Sequence, residues 1–347
     1  MFRALSDMAV SLQTVPNSSQ TPEPSNSLSA LLQGVAYAPL DSTAWIRVTG
    51  SDRVRWLNGM ITNAVQTLAP GAGCYNFVLN AQGQIQGDLT AFAPPNDPHA
   101  LLLETTRDQL PALLAHLDRF IIMDDVELTD ITDRRSGLLV AGPQAGTALA
   151  QLGIAADADA SLHMESIAYQ GARIELLHAH SPLVPRYELW GDEATIGLIA
   201  SALASSGMIA ASAEAFQLLR ILEGTPRFGA DIRNRDLPQE TTQTRALHFN
   251  KGCYLGQEIV ERVRSRGNVH RTFSGFELTG TLPAPGTQLT AEGKSVGELT
   301  SVATIPLPRR TVQLALGYIR REALERKLLL EFSGGSAVPV SLPYQVS

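Results

Sequence analysis

The stretch with the most evident chemistry is KGCYLGQE at residues 251–258, which places Cys253 close to Lys251. Apolar residues recur at helical spacing from Gln257, and Gly267 offers a stop, so Cys253 is predicted just ahead of a helix N-terminus. Unpaired N–H groups and the positive end of the helix dipole favour an anion there, and a neighbouring ammonium adds to the effect. The pattern predicts a reactive, solvent-reachable cysteine; the alternative is a small buried hydrophobe in a glycine turn.

A second candidate group lies upstream. Residues 220–226 read RILEGTP, and they are followed by FGADI at 228–232 and LPQE at 237–240. Glu223 ends a predicted helix before a Gly-Thr-Pro turn, where its carboxylate can project into a cavity. One carboxylate can accept two adjacent N–H donors, which is stronger than two neutral hydrogen bonds. The alternative is a solvated glutamate at a helix end.

These two blocks resemble the signatures of a known family. The octad at 251–258 and the block at 220–240 are similar to the YgfZ-type folate-binding proteins, relatives of the glycine cleavage T-protein (aminomethyltransferase) that are linked to iron–sulfur protein maturation. The resemblance covers the chain from about residue 28 to its end. It implies tetrahydrofolate, or a one-carbon derivative, as the cofactor and iron–sulfur client proteins or assembly factors as partners. The glutamate that matches the family's pterin anchor is Glu223.

The resemblance also assigns other site residues. Asn63 matches a polar position in the wall of the relatives' pocket, Tyr254 is expected at the folate surface, and Cys253 with Lys251 forms the expected reactive pair. What the cysteine does is left open between thiol exchange and contact with a cluster.

The hairpin at residues 80–89 resembles a T-protein stretch in which two aspartates follow a turn. Here the pair reads Gly87-Asp88, so one carboxylate survives, in the second place. Asp88 is expected either to contact the ligand or to be an ordinary outward strand residue. The missing first acid is expected to remove general acid/base catalysis and to leave folate binding intact.

The densest positive cluster follows the cysteine octad. It comprises Arg262, Arg264, Arg266, His270 and Arg271. This cluster is interpreted as a binding site for the glutamate tail of folate, with Arg262 as the expected contact, or for RNA phosphates. The alternative is a solvated helix face with intrahelical ion pairs.

Composition narrows the function classes. A net charge of −7 argues against a generic nucleic-acid binder, and no apolar run reaches the length that spans a bilayer. Two cysteines are too few for a disulfide scaffold or a Cys-only metal site, and the spacing of His248 and His270 from Cys253 fits no compact zinc pattern. We expect no metal, a reducing compartment (the bacterial cytoplasm, or the mitochondrial matrix in a eukaryote) and a monomer.

Hydrophobic patterning predicts an α+β fold. Residues 1–27 are predicted to be a flexible tail, and residues 28–271 to form two layered halves around a central cavity, with a boundary near 135. Helices are expected at 193–205 and 213–223. Short strands with Gly/Pro turns over 272–347 predict a small antiparallel β-barrel, and the T-protein relatives carry a barrel at the same end.

The preferred function is a tetrahydrofolate-binding protein that supports assembly or repair of iron–sulfur enzymes, including those that modify tRNA. One alternative is a folate-dependent aminomethyltransferase, which would make the chain an enzyme. Another is a docking module whose thiol is incidental.

Overall fold

The computed structural model describes residues 23–156, 161–267 and 269–346. Within them the helices are α1 (Pro24–Gln33), α2 (Arg53–Met60), α3 (Leu110–Asp118), α4 (Ala145–Gln151), α5 (Glu193–Ser205), α6 (Ala213–Glu223), α7 (Gln257–Arg266) and α8 (Arg321–Glu325). The strands are β1 (Ala36–Pro39), β2 (Thr43–Thr49), β3 (Gly73–Leu79), β4 (Ile85–Phe92), β5 (Leu101–Thr106), β6 (Glu127–Asp130), β7 (Ser136–Ala141), β8 (His163–Tyr169), β9 (Ala172–His178), β10 (Arg186–Gly191), β11 (Ile209–Ala210), β12 (Arg271–Gly280), β13 (Gln288–Ala291), β14 (Lys294–Pro306), β15 (Thr311–Arg320), β16 (Leu330–Phe332) and β17 (Gly335–Val340).

The first half is a five-stranded antiparallel sheet in the order β3-β4-β5-β2-β6. One face packs against α2 and α3 through Leu57, Ile61, Leu113 and Leu117. Because side chains alternate along a strand, the residues between those core positions point to the opposite face. That opposite face looks toward the second half of the molecule.

The second half is a six-stranded sheet in the order β11-β1-β7-β10-β9-β8, covered on one face by α4 and α5. Its other face meets the first sheet across a shared apolar layer that includes Trp45, Phe92, Leu177 and Trp190. On β10, Leu189 faces the helices while Trp190 faces the first sheet. Polar residues on the inner faces of the two sheets are therefore brought together in the interior.

The last region forms a closed antiparallel barrel in the order β12-β15-β14-β13-β16-β17. Phe276, Leu289, Ile319 and Phe332 belong to its core. Closure pairs the edges of the sheet, which suits a small domain made of short strands. The predicted α+β class with a C-terminal antiparallel barrel is confirmed.

A buried ion pair joins α6 to the barrel. Arg220 donates from Nη1 to Asp231 Oδ2 over 2.6 Å and from Nη2 to Ser301 Oγ over 2.8 Å. Asp231 has no exposed surface, and its other oxygen accepts from Ser301 Oγ over 2.7 Å and from Thr300 Oγ1 over 2.5 Å. The barrel is thus fixed to the helix whose last residue is Glu223.

The first helix departs from the sequence prediction. It begins at Pro24, inside the segment predicted as a tail, and buries Leu28 and Leu31 in the cluster that contains α6. Proline is well suited to a first helical position, because the N–H it lacks would be unpaired there anyway. The remainder of the predicted tail, residues 1–22, lies outside the described residues. Among the described helices, none has the length and apolar content to cross a membrane.

Candidate functional site

Glu223 is the last residue of α6. The helix starts at an N-cap serine, Ser212, whose Oγ accepts from Ala215 N over 3.2 Å, and it ends at Gly224 in the left-handed region with φ of 71°. This glycine lets the chain turn away directly after Glu223, whose side chain remains 8% exposed. Burial raises the pKa of the Glu223 carboxyl, and the hydrogen bond donated by Ser181 Oγ opposes that rise.

Asp88 supplies a second carboxylate from the inner face of the first sheet. Tyr75 donates its hydroxyl to Asp88 Oδ2 over 2.6 Å, and Gln109 donates from Nε2 to Oδ1 over 2.8 Å. Burial raises the pKa of Asp88, while the two donors favour its ionised form. Strand alternation therefore turns Asp88 inward, so it is not an ordinary outward-facing residue.

Arg245 is within electrostatic range of both carboxylates. Its guanidinium carbon is 4.1 Å from the centre of the Tyr75 ring, and its charge interacts with both Asp88 and Glu223. Burial lowers the pKa of Arg245, whereas the nearby Tyr75 hydroxyl and the two carboxylates act to raise it. Sequence reasoning missed Arg245 because its partners are distant along the chain and no local pattern marks it.

A cavity of about 180 Å³ is lined by His180, Ser181 and Arg186 among others, and its Ser181 is the residue that donates a hydrogen bond to Glu223. Partial burial and the guanidinium groups of Arg245 and Arg186 lower the pKa of His180 to about 4, although part of its ring stays exposed. His180 is therefore neutral at pH 7. The charge on this side of the site comes from the carboxylates and the two arginines.

The first acid of the T-protein pair is replaced here by Gly87, and the structure shows in which direction a side chain at this position would point. A Cβ on Gly87 would lie 2.6 Å from Leu113 Cδ2 and 3.0 Å from Leu113 Cγ, so a side chain there would point at α3. An acid at position 87 would thus face the helix layer, away from Arg245. The carboxylate that faces the site is Asp88, and the absence of an acid at 87 does not remove it.

Asn63 is part of the wall near Arg245. Its Nδ2 donates to the carbonyl oxygen of Arg245 over 2.9 Å and to that of Tyr75 over 3.2 Å. Asn63 thereby fixes the backbone that carries Arg245 against β3. The pocket-wall position predicted for Asn63 is supported by these contacts, which make it a positioning residue.

Lys251 is occupied by backbone groups. Its ammonium donates to the carbonyl oxygens of Asn58, Ile61 and Asn63 over 2.6, 2.7 and 2.6 Å. An ammonium has three N–H donors, so none remains for the Cys253 thiol. Burial lowers the pKa of Lys251 to about 8. These contacts support an anchoring role for Lys251 in place of the predicted partnership with the thiol.

The remaining predicted residues lie in different environments. Cys253 is exposed and precedes α7, as the sequence predicts. Tyr254 is buried in an apolar cluster with Phe77, and burial raises its pKa to about 12. Arg262 is exposed on α7 and pairs with Glu258 over 3.6 Å, so the structure does not bring it to Glu223.

The predicted basic cluster is divided between the surface and the interior. Arg264 lies on α7 and pairs with Glu261 over 3.4 Å. Arg271 turns inward and pairs with Asp236 over 2.7 Å and with Glu240 over 2.9 Å. This arrangement favours the ion-paired alternative over a single anion landing site.

A buried acid pair, also missed by sequence reasoning, crosses the interior. Glu104 on β5 and Glu188 on β10 lie close enough that their carboxyl groups titrate as an interacting pair. Burial, followed by the charge of Glu188, raises the pKa of Glu104 well above its ordinary value. Arg186 donates to Glu188 over 3.1 Å, and it lies within electrostatic range of Glu223.

Two facing sheets and a closed barrel make a three-part protein, and Arg245 in its interior interacts electrostatically with the carboxylates of Asp88 and Glu223. Residues 21–251 match the family described as GCVT N-terminal domain, and residues 269–347 match CAF17, C-terminal beta-barrel domain. The chain belongs to the GCVT N-terminal domain family.

Individual relatives agree with this assignment. The chain is 28% identical over 255 residues to the tRNA-modifying protein YgfZ of Escherichia coli O157:H7, which covers 72% of this chain and 74% of that protein. It is 25% identical over 268 residues to a mitochondrial iron-sulfur cluster assembly factor IBA57 homolog of Yarrowia lipolytica, covering 71% of this chain and 56% of that protein. The chain thus spans little more than half of the latter relative.

A solved structure shows the same fold. The glycine cleavage system aminomethyltransferase T of Bartonella henselae superposes with a TM-score of 0.80 at 20% identity, covering 93% of this chain and 89% of the other. The predicted kinship with YgfZ-type proteins and the T-protein is confirmed.

Proposed function

We propose that this protein binds tetrahydrofolate, or a one-carbon derivative, and supports the assembly or repair of iron–sulfur enzymes, including those that modify tRNA. The proposal rests first on Arg245, whose charge interacts with the carboxylates of both Glu223 and Asp88. It rests also on the relatives, whose names state tRNA modification and iron–sulfur cluster assembly.

The unused acceptor sites of the Glu223 carboxylate fit a pterin. An ionised carboxylate has about four lone-pair sites, and the donors that act on this one are Ser181 Oγ and the backbone N–H of Leu183. The remaining lone pairs can accept the adjacent amino and ring N–H groups of a pterin. Because the site is buried, such bonds would be stronger than in water. Glu223 is the proposed pterin anchor.

Other residues would hold the anchor region in place. Arg245 balances the charge of Glu223 and Asp88, and Asn63 fixes the backbone of Arg245. A bound folate supplies a carrier for one-carbon groups; the chain itself provides recognition, orientation and exclusion of water.

Titration calorimetry with tetrahydrofolate tests this assignment. Glu223→Gln keeps the size of the side chain but removes the charge, and we expect it to weaken binding about tenfold or more, since a hydrogen bond to a charged group contributes about 1.5–3 kcal/mol. Glu214→Gln, on an exposed position of the same helix, is the matched control and should bind as the parent does. Equal affinities of the two variants would reject the pocket.

The iron–sulfur role is tested through Cys253. In a bacterial strain that lacks its YgfZ-type protein, the parent chain should restore iron–sulfur enzyme activity, and Cys253→Ala should fail to do so while binding tetrahydrofolate normally. Rescue by Cys253→Ala would instead support a docking module whose thiol is incidental.

A one-carbon transferase is the second candidate, because the inward carboxylate of Asp88 survives. Asp88→Asn keeps acceptance from Tyr75 but removes the negative charge. If the chain transfers one-carbon groups, this variant should lose turnover by roughly 10²-fold or more while it still binds tetrahydrofolate. No turnover in the parent chain would leave the binding function alone.

A further inference from the structure

A groove of about 350 Å³ opens at the seam between the two sheets, and we propose that it binds the phosphate of a nucleoside monophosphate. Four arginines line it: Arg47, Arg134, Arg135 and Arg173. They come from both halves of the molecule, since Arg47 lies on β2 and Arg173 on β9. The site is thus a joint feature of the two sheets.

The groove is separate from the proposed folate site. Strand β10 begins at Arg186, beside the cavity lined by Ser181, and its far end at Trp190 and Gly191 lines the groove. Between the cavity and the groove, the interior is filled by Glu188 and by Trp45, whose ring centre lies 5.3 Å from that of Trp190. A ligand in the groove therefore would not occupy the space next to Glu223.

Two of the four arginines are balanced by acids within the groove. Arg47 pairs with Asp97 over 2.6 Å, and Arg135 pairs with Glu175. Arg135 is held further by the Trp45 ring, whose centre is 4.2 Å from its guanidinium carbon. These contacts make the groove a rigid, preformed surface.

The other two arginines are uncommitted. Arg134 and Arg173 are exposed, and within the described residues neither guanidinium makes a hydrogen bond or ion pair. Asp130 lies within electrostatic range of Arg134, but its carboxylate already accepts a hydrogen bond from Thr132 N over 2.9 Å. The net charge of the protein is −7, but this groove is locally positive. Its concave shape concentrates the electric field, which attracts a small anion.

A neighbouring depression shows that the charge is specific to this groove. It measures about 410 Å³ and shares Arg135 and Trp190 with the first groove, but its lining includes Asp41, Asp133 and Glu193. Its additional arginine, Arg107, is paired with Asp133 over 2.9 Å. An anion would be repelled there, so the arginine groove is the preferred place.

The class of ligand follows from size and lining. Arginine forks match phosphate oxygens bidentately, and Pro94, Leu102 and Ile131 add an apolar surface against which a base can pack. The volume is near the lower end of the range for small-molecule sites, about 300–1,000 Å³. One nucleotide fits this space better than a dinucleotide or a polymer.

Calorimetric titration of the full chain at low salt with adenosine monophosphate, adenosine and inorganic phosphate tests the proposal. We expect the monophosphate to bind at least tenfold more tightly than either fragment, with quenching of tryptophan fluorescence because Trp190 lines the groove. Arg134→Gln and Arg173→Gln should each weaken it about tenfold, because each removes a charge-assisted hydrogen bond. Arg309→Gln, an equal charge change at an exposed barrel site, should have no effect.

Three results would overturn the proposal: no heat with the monophosphate up to roughly 10 mM, equal binding by the parent and the Arg134→Gln/Arg173→Gln double variant, or inorganic phosphate binding as tightly as the nucleotide. An RNA oligomer that bound far more tightly through the same arginines would also reject a small nucleotide. Tetrahydrofolate affinity should be unchanged in both variants. Failure here is thus distinguishable from failure of the folate site.

Discussion

The ammonium of Lys251 donates a hydrogen bond to the carbonyl oxygen of Asn63 over 2.6 Å. Since the side chain of Asn63 holds the carbonyl oxygen of Arg245 over 2.9 Å, a continuous set of bonds runs from the cysteine octad to the charged site. Two motifs distant in sequence are therefore parts of one structure. Lys251 anchors the exposed loop that carries Cys253. Asn63, whose carbonyl oxygen accepts from Lys251, also positions the backbone of Arg245.

Replacing Lys251 should therefore destabilise the fold. Lys251→Met leaves three buried carbonyl acceptors without their donor, and we expect the free energy of unfolding to fall by about 2–4 kcal/mol. Urea unfolding measures this. Lys294→Met, at an exposed barrel position, is the control and should change it by less than about 0.5 kcal/mol. Similar losses in the two variants would contradict the anchoring role.

Two glycines of the octad should respond differently to alanine. Gly256 has φ of 82°, and a Cβ there would lie 2.6 Å from Asn80 O, whereas a Cβ on Gly252 would meet nothing within 4 Å. A left-handed non-glycine residue costs roughly 1–2 kcal/mol before any clash. Thermal unfolding should show a lower Tm for Gly256→Ala and little change for Gly252→Ala. Equal Tm values would show that the loop does not need this conformation.

The two thiols should differ in accessibility. Cys253 is exposed, while Cys74 is buried and lies 3.8 Å from Ala64 O. An aromatic disulfide reagent should titrate one thiol promptly in the native protein and the second only after unfolding. Cys253→Ser should abolish the prompt reaction, and Cys74→Ser should keep it. Prompt reaction of both thiols would contradict the burial of Cys74.

The acid pair predicts a pH dependence of stability. The raised pKa of Glu104 means that the folded state holds its proton at pH values where the unfolded chain has lost it. The contribution of the protonated Glu104 carboxyl to the free energy of unfolding is complete below the ordinary pKa of about 4.3. It is lost as the pH rises through the higher pKa of the folded state. Relative to the parent, Glu104→Gln should therefore gain stability as the pH rises above about 4.3.

Urea unfolding across that pH range measures the effect. The groups facing the pair are Arg135 and Arg186, which remain charged throughout. Glu331→Gln, at an exposed position of β16, is the matched control and should show the same pH dependence as the parent. A constant difference in the free energy of unfolding between Glu104→Gln and the parent at every pH would contradict the raised pKa of Glu104.

Local patterns were sufficient for much of the fold. The helix predicted at 193–205 is α5 and the one at 213–223 is α6, because both have N-cap side chains and sustained helical spacing. The barrel follows from short strands between Gly/Pro turns. In contrast, the sequence does not indicate β8, an edge strand whose burial does not alternate.

The site itself was predictable only in part. Glu223 and Cys253 stand in recognisable motifs, so their positions could be proposed from sequence. Arg245 and the pairing of Glu104 with Glu188 depend on which strands face each other, and one chain's sequence carries no local sign of that. The direction of a side chain at position 87 likewise needed the sheet register.

The saturated carboxylate of Asp231 limits how the molecule can move. It accepts from Arg220 on α6 and from Thr300 and Ser301 on the barrel, with no exposed surface. Moving the barrel outward would break the hydrogen bonds that Thr300 and Ser301 donate to this charge, and each such bond contributes about 1.5–3 kcal/mol. The barrel is therefore expected to stay fixed to α6. Any motion that lets a ligand enter the interior must occur in other elements of the fold.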